Sequence, residues 1–202
     1  MGSMRVRSWG VAAALSAVLV LAGCGPAPWN ADPEPAPTPT ATRSTPVPTP
    51  VSNDLSSGST QRTVKTGAVT ATINYWSTLS MDRWTATALK PISLSMTTTV
   101  APNDGQKVYL QKATMVVVPA DASKALDPLQ PQTDQSSVSP GYLVLSPYSY
   151  SQTFNVGDVP AGTTYVTVQF TYDFLVQTTP DSTEYAKQTA SDTLVIAISG
   201  GS

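Results

Sequence analysis

One thiol, Cys24, stands in a chain of 202 residues that contains no histidine. Arg5 and Arg7 precede an apolar run from Trp9 to Ala22, and the small residues Ala22 and Gly23 lead directly into the cysteine. A basic start, an apolar run of this length and small residues at its end are the parts of an export signal. The run is too short to cross a bilayer as a stable helix. A thiolate is the soft nucleophile among side chains, so Cys24 is where thiol chemistry is on offer. The lack of histidine removes Ser-His-Asp and Cys-His catalysis, histidine zinc sites and a histidine pH switch together.

Leu21, Ala22, Gly23 and Cys24, in this order behind the apolar run, resemble the lipobox that closes the signal peptide of bacterial lipoproteins. The resemblance implies that Cys24 takes a diacylglycerol group, that residues 1–23 are cut away, and that Cys24 becomes the acylated N-terminus. Burial of acyl chains contributes about 0.8 kcal/mol per methylene, so two or more chains hold a protein on a membrane where one does not. The implied location is the extracytoplasmic face of the cell membrane, with the membrane itself as first partner. The competing reading is a buried structural cysteine behind an ordinary signal peptide.

Without the leader, nine basic residues (eleven less Arg5 and Arg7) face thirteen acidic ones, a formal charge of −4. A mildly acidic exported chain is a poor partner for nucleic acid. Charged residues are 12% of the chain, half the usual share of about 25%, and serine and threonine take their place. With Cys24 acylated no intrachain disulfide is left, so the folded part relies on its own core.

Four further groups of residues could do chemistry. Acid–base or glycosidase work needs two carboxylates on one cleft, and Asp173, Asp181, Glu184 and Asp192 form the best set; the bland reading is surface acids, with Asp173 pointing to solvent. Calcium would want clustered oxygen ligands on a tight loop, as in Asn103, Asp104 and Gly105 or Asn155, Gly157 and Asp158, although turn chemistry explains the same residues. Neither group is taken as a metal site, and no cofactor is expected. Flat aromatic area with a polar edge suits sugars or peptides. Tyr148 and Tyr150 share a face with Phe154 and Val156 and so read as core. Trp76 falls out of phase with Ile73 and Tyr75, and with Arg83 and Trp84 forms the preferred exposed contact cluster, against a rival reading in which their loop folds back to plug the sandwich. Finally, Ser93, Ser95, Thr97, Thr99, Thr70 and Thr72 could make a flat adhesive face, or simply reflect threonine's preference for strands.

The elements that must position these residues come in three zones. Residues 24–62 are rich in proline and threonine, favour extended polyproline II and cannot build a core. Where stiff, this stretch could lift a domain on the order of 80–100 Å from the membrane. Thr38, Thr40, Thr42, Thr45 and Thr49 read as O-glycosylation candidates, or the stretch as an unmodified spacer. From residue 63 to 200 the apolar period is two. Strands are predicted at 69–75, 92–100, 107–118 with a bend or bulge, 142–145, 148–156, 164–177 and 194–198. A long crossing loop is expected over 121–140, with one helical turn at 123–126. Seven strands with turn signals between them argue for an all-β, antiparallel two-sheet sandwich.

Val159-Pro160-Ala161-Gly162-Thr163-Thr164-Tyr165 resembles the turn into strand F of fibronectin type III and related immunoglobulin-like domains. The resemblance implies an immunoglobulin-like sandwich in which the Tyr165 hydroxyl folds back onto upstream backbone. The apolar positions after Tyr165 are shifted by one from the usual pattern. The functional expectation is a non-enzymatic, monomeric lipoprotein that displays this domain to an envelope protein or glycan. The alternatives are a carboxylate-based envelope hydrolase and a structural spacer without ligand.

Overall fold

The structure, a computed structural model, describes residues 51–200. Cys24, the signal segment and the Pro/Thr-rich stretch up to residue 50 lie outside the described residues. The described chain is all-β, with nine strands where the sequence predicts seven. They are β1 (Ser59–Thr66), β2 (Val69–Trp76), β3 (Lys90–Val100), β4 (Val108–Ala120), β5 (Gln132–Gln135), β6 (Tyr142–Leu143), β7 (Tyr150–Val156), β8 (Tyr165–Gln177) and β9 (Tyr185–Ala197). One sheet, A, has the order β1-β2-β3-β7; the other, B, has β5-β4-β8-β9, with β6 beside β4. All strand pairs are antiparallel.

Alternation decides the faces. Val69, Ala71, Ile73 and Tyr75 of β2 and Ile92, Leu94 and Met96 of β3 are buried against Val166, Val168, Phe170, Tyr172, Phe174 and Val176 of β8. Phe170 is the aromatic hub: its ring centroid lies 5.3 Å from Tyr75, 5.6 Å from Phe154 and 6.1 Å from Tyr172. The Tyr75 and Tyr172 hydroxyls meet at 2.9 Å inside the core, so the two buried phenols satisfy one another across the sheets. The bend expected in the 107–118 strand is a register shift between Leu110 and Lys112. Gly141 lies against it: a Cβ there would come 2.4 Å from the Leu110 carbonyl oxygen, and its φ is +155°, so only glycine allows this approach.

Three features depart from expectation. Strand β1 lies across the expected boundary at residue 63, and Leu55 before it is already fully buried. The predicted helical turn at 123–126 is absent; Asp121 instead accepts the Ser123 amide (2.7 Å), the Ser123 hydroxyl (2.7 Å) and the Lys124 amide (2.9 Å). Those bonds hold the Asp121 carboxyl below the usual carboxylate range. Strand β9 begins at Tyr185, nine residues before the predicted Leu194, which shortens the loop from β8.

Residues Tyr142–Ser146 stitch the sheets together. The Val144 amide donates to Val108 of β4 (3.0 Å), while the Val144 carbonyl accepts the Thr98 amide (2.9 Å) and hydroxyl (3.0 Å) of β3.

Candidate interaction surface

The outer face of sheet A is built by register. Four cross-strand rows lie on it: Ser59, Trp76, Ser93 and Thr153; Gln61, Asn74, Ser95 and Ser151; Thr63, Thr72 and Thr97; Lys65, Thr70 and Thr99. The hydroxyl residues that the sequence singled out in β2 and β3 thus share one face, and β7 and β1 extend it. Ser93 and Thr153 hydroxyls meet at 2.8 Å, and the Gln61 amide donates to Asn74 Oδ1 at 2.8 Å. Lys65 is the one charge in these rows, and no carboxylate lies in them. At one end, Trp76, Ser93, Leu94, Ser151, Gln152 and Thr153 line a shallow hollow of about 220 Å³. Ser151 and Thr153 alternate with the apolar Tyr150 and Phe154 of β7, and the outward period carried through 151–155 is the signal that marks them.

The three expected contact residues separate. Trp76 is half-buried on this outer face, where its phase put it. Arg83 is exposed, on the 3₁₀ turn Met81–Arg83. Trp84 corrects the expectation: it is fully buried, and its indole N–H is shared between the Leu79 carbonyl (3.2 Å) and the Ser77 hydroxyl (3.3 Å). The Ser77–Leu89 loop folds over the end of the sandwich, and burying the largest apolar side chain beneath it is what holds it there. The Ser199 amide donates to the Trp84 carbonyl (2.8 Å), which fastens the chain after β9 to the same plug.

The carboxylates do not converge. Asp173 lies on the outer face of sheet B, Asp192 points inward from β9, and Asp181 and Glu184 are exposed in the β8–β9 loop. Asp173 is also not the solvent-facing acid expected, since its residue is 5% exposed. Lys187 Nζ at 3.1 Å, Lys112 Nζ at 3.2 Å and the Thr189 hydroxyl at 2.8 Å cover it. Burial alone would raise its pKa, but these donors outweigh it and hold the carboxyl below the usual range.

The tyrosines split as well: Tyr150 is buried with its hydroxyl donating to Asp134 (2.8 Å), whereas Tyr148 is 58% exposed. The Asn103 carboxamide accepts the Gly105 amide (3.2 Å), and Gln106 Oε1 accepts that of Asp104 (2.7 Å), so these residues serve the turn. Tyr165 is half-buried, and its hydroxyl finds no hydrogen-bond partner among the described residues. The fold-back expected of it is made by Thr163, fully buried, whose hydroxyl donates to the Pro160 carbonyl at 2.7 Å. Tyr165 has the outward phase of β8, so its ring points away from that turn.

Among the described residues no helix is long and apolar enough to cross a membrane, and no group of three or more acidic, cysteine or histidine side chains could hold a metal. Compared with protein-family models, curated proteins and solved structures, the chain matches none.

Proposed function

We propose that this chain is a lipoprotein, anchored through acylated Cys24 on the extracytoplasmic face of a cell membrane, that displays an immunoglobulin-like sandwich as a non-enzymatic binding module. The order of basic residues, apolar run and Leu21-Ala22-Gly23-Cys24 supports the anchor. Strand order supports the immunoglobulin-like reading. With β2, β3, β4, β7, β8 and β9 lettered A, B, C, E, F and G, sheet A contains A-B-E and sheet B contains C-F-G. Strand β1 is then an extra strand on A.

The observation that carries a binding role is the asymmetry of the two outer faces. That of sheet B is crossed by the ion pairs of Asp173 with Lys112 and Lys187, while that of sheet A offers hydroxyl and amide groups with Trp76 set among them. The scattering of Asp173, Asp181, Glu184 and Asp192 over different surfaces disfavours a two-carboxylate hydrolase, because acid and base must reach one substrate bond.

The anchor is tested by expressing the full chain and a Cys24→Ser variant in a bacterium supplied with labelled palmitate. The expected result is label and membrane sedimentation for the parent and loss of both for the variant. A variant that still sediments with membranes, or a parent without acyl mass, refutes the anchor.

A further inference from the structure

We infer that the hollow on the outer face of sheet A is a binding site for a neutral polysaccharide, with Trp76 as the stacking platform; this rests on the reading of the domain as a binding module. The hollow offers an indole wall beside the exposed hydroxyls of Ser151 and Thr153, with the buried Ser93 hydroxyl bonded to Thr153 beneath them. A sugar ring has an apolar C–H face and an equatorial rim of hydroxyls, so it can lie against the indole while its rim exchanges hydrogen bonds. A hydroxyl both donates and accepts, which lets serine and threonine follow a polyhydroxyl ligand in either sense.

Charge complementarity selects the class of glycan. None of the eleven acidic residues described lies in the four rows. Lys65, their only cation, sits in the row farthest from Trp76. An anionic polymer would meet no counter-charge at the hollow, and a cationic one would meet no carboxylate. A neutral ligand loses nothing by this.

The edge of the sheet argues against a peptide as occupant. An extended peptide docks by adding a strand to a free edge, and β7 is an edge of sheet A. Three of its outward backbone groups are already used, which obstructs a continuous ladder along this edge: Gln152 Oε1 accepts the Thr153 amide (2.9 Å), and the Gln132 side chain pairs with both the amide and the carbonyl of Asn155. Strand preference explains the threonine rows, but it does not explain serines at 93, 95 and 151 around a half-buried tryptophan.

The test is native gel electrophoresis of the full chain through gels containing mixed-linkage β-glucan, glycogen or hydroxyethylcellulose, with polygalacturonate and polylysine as charged counterparts. The inference expects retardation by at least one neutral polymer, weakened about tenfold by Trp76→Ala, as loss of one stacked ring would give. Trp76→Ala could weaken the fold, so the variant Ser151→Asp, at an exposed edge position, is run beside it. It should keep the parental melting temperature and lose retardation by a comparable factor. Absence of retardation in every neutral polymer, retardation unchanged in both variants, or tighter binding to either charged polymer overturns the site. Such a failure with Cys24-dependent membrane attachment intact leaves the display reading standing. Retardation by a neutral polymer without that attachment would do the reverse.

Discussion

An ammonium group inside a β-sandwich needs either a carboxylate or a shell of carbonyls, and Lys90 has the second. Its three Nζ–H groups are shared among the carbonyls of Ala88 (2.6 Å), Gly157 (2.8 Å), Thr85 (3.1 Å) and Ala86 (3.3 Å), and the residue is fully buried. Burial pulls the ammonium below the ordinary lysine range, and Asp158 offsets this in part. Three of the four carbonyls belong to the loop over Trp84 and the fourth follows β7, so Lys90 ties the plug to the end of sheet A. Lys90→Met would keep the stem's volume and strand the Ala88 and Gly157 carbonyls without a donor, while those of Ala86 and Thr85 keep the amides of Val159 and Ala88. The expected cost is about 2–4 kcal/mol in urea unfolding with an unchanged denaturant slope; a loss under about 0.5 kcal/mol would show that the carbonyls find other donors. Nothing in the sequence marks this residue, because a lysine before Pro91 at the start of a strand reads as an ordinary solvated side chain.

Strands were legible where one face is apolar and illegible where both are polar. The inward set of β8, Val166 to Val176, stands out as a period of two and is buried as that period requires. In β1, Ser59–Thr66, only Val64 is aliphatic, and β5 is Gln-Thr-Asp-Gln. These are edge strands, for which the backbone ladder and a single neighbour supply the stability and no apolar stripe is needed. The same holds for the first half of β9. The candidate face was readable strand by strand but not as a face, because register sets which hydroxyls are neighbours and no local pattern encodes register. The edges are capped by side chains in place of further strands. Asp54 does this for β9: its amide donates to the Val195 carbonyl (2.8 Å), its Oδ2 accepts the Val195 amide (2.8 Å), and its Oδ1 pairs with Arg62 (2.7 Å). Asp54→Ala should therefore speed hydrogen exchange at the Val195 amide while leaving core amides such as Phe170 unchanged. The expected loss of stability is about 1–2 kcal/mol, modest because Arg62 and Asp54 are partly exposed. Unaltered protection at Val195 would mean that the cap does not hold the edge.

At the scale of the molecule, polar groups link the two sheets across the middle and along both open sides. Tyr75 and Tyr172 bond through the core, Tyr150 reaches Asp134 on one side, and the Thr66 hydroxyl reaches the Thr189 carbonyl on the other. Three of these groups are phenols, and burial raises the pKa of each: Tyr75 with further contributions from Tyr172 and Asp192, Tyr150 with help from Asp134, and Tyr172 against the lowering effect of its bond to Tyr75. An acid whose folded pKa lies above its unfolded value of about 10 stabilises the fold fully below that pH and progressively less above it, since only the unfolded chain can then release the proton. Lys90 has the opposite sign, but its gain with rising pH is complete near its unfolded pKa of about 10.4, so the phenols govern beyond that point. Stability should therefore fall steeply once the pH exceeds about 10, with tyrosinate absorbance rising in step with loss of the fold and not ahead of it. The double variant Tyr75→Phe/Tyr172→Phe removes both members of the central pair and so leaves neither hydroxyl unpartnered. It should shift alkaline unfolding to higher pH, with Tyr150 and Tyr142, whose phenols are also raised by burial and Asp134, accounting for what remains. If Tyr75 and Tyr172 instead ionise in the folded protein near pH 10, water reaches the centre of the sandwich, and the sheets are not joined by a dry core.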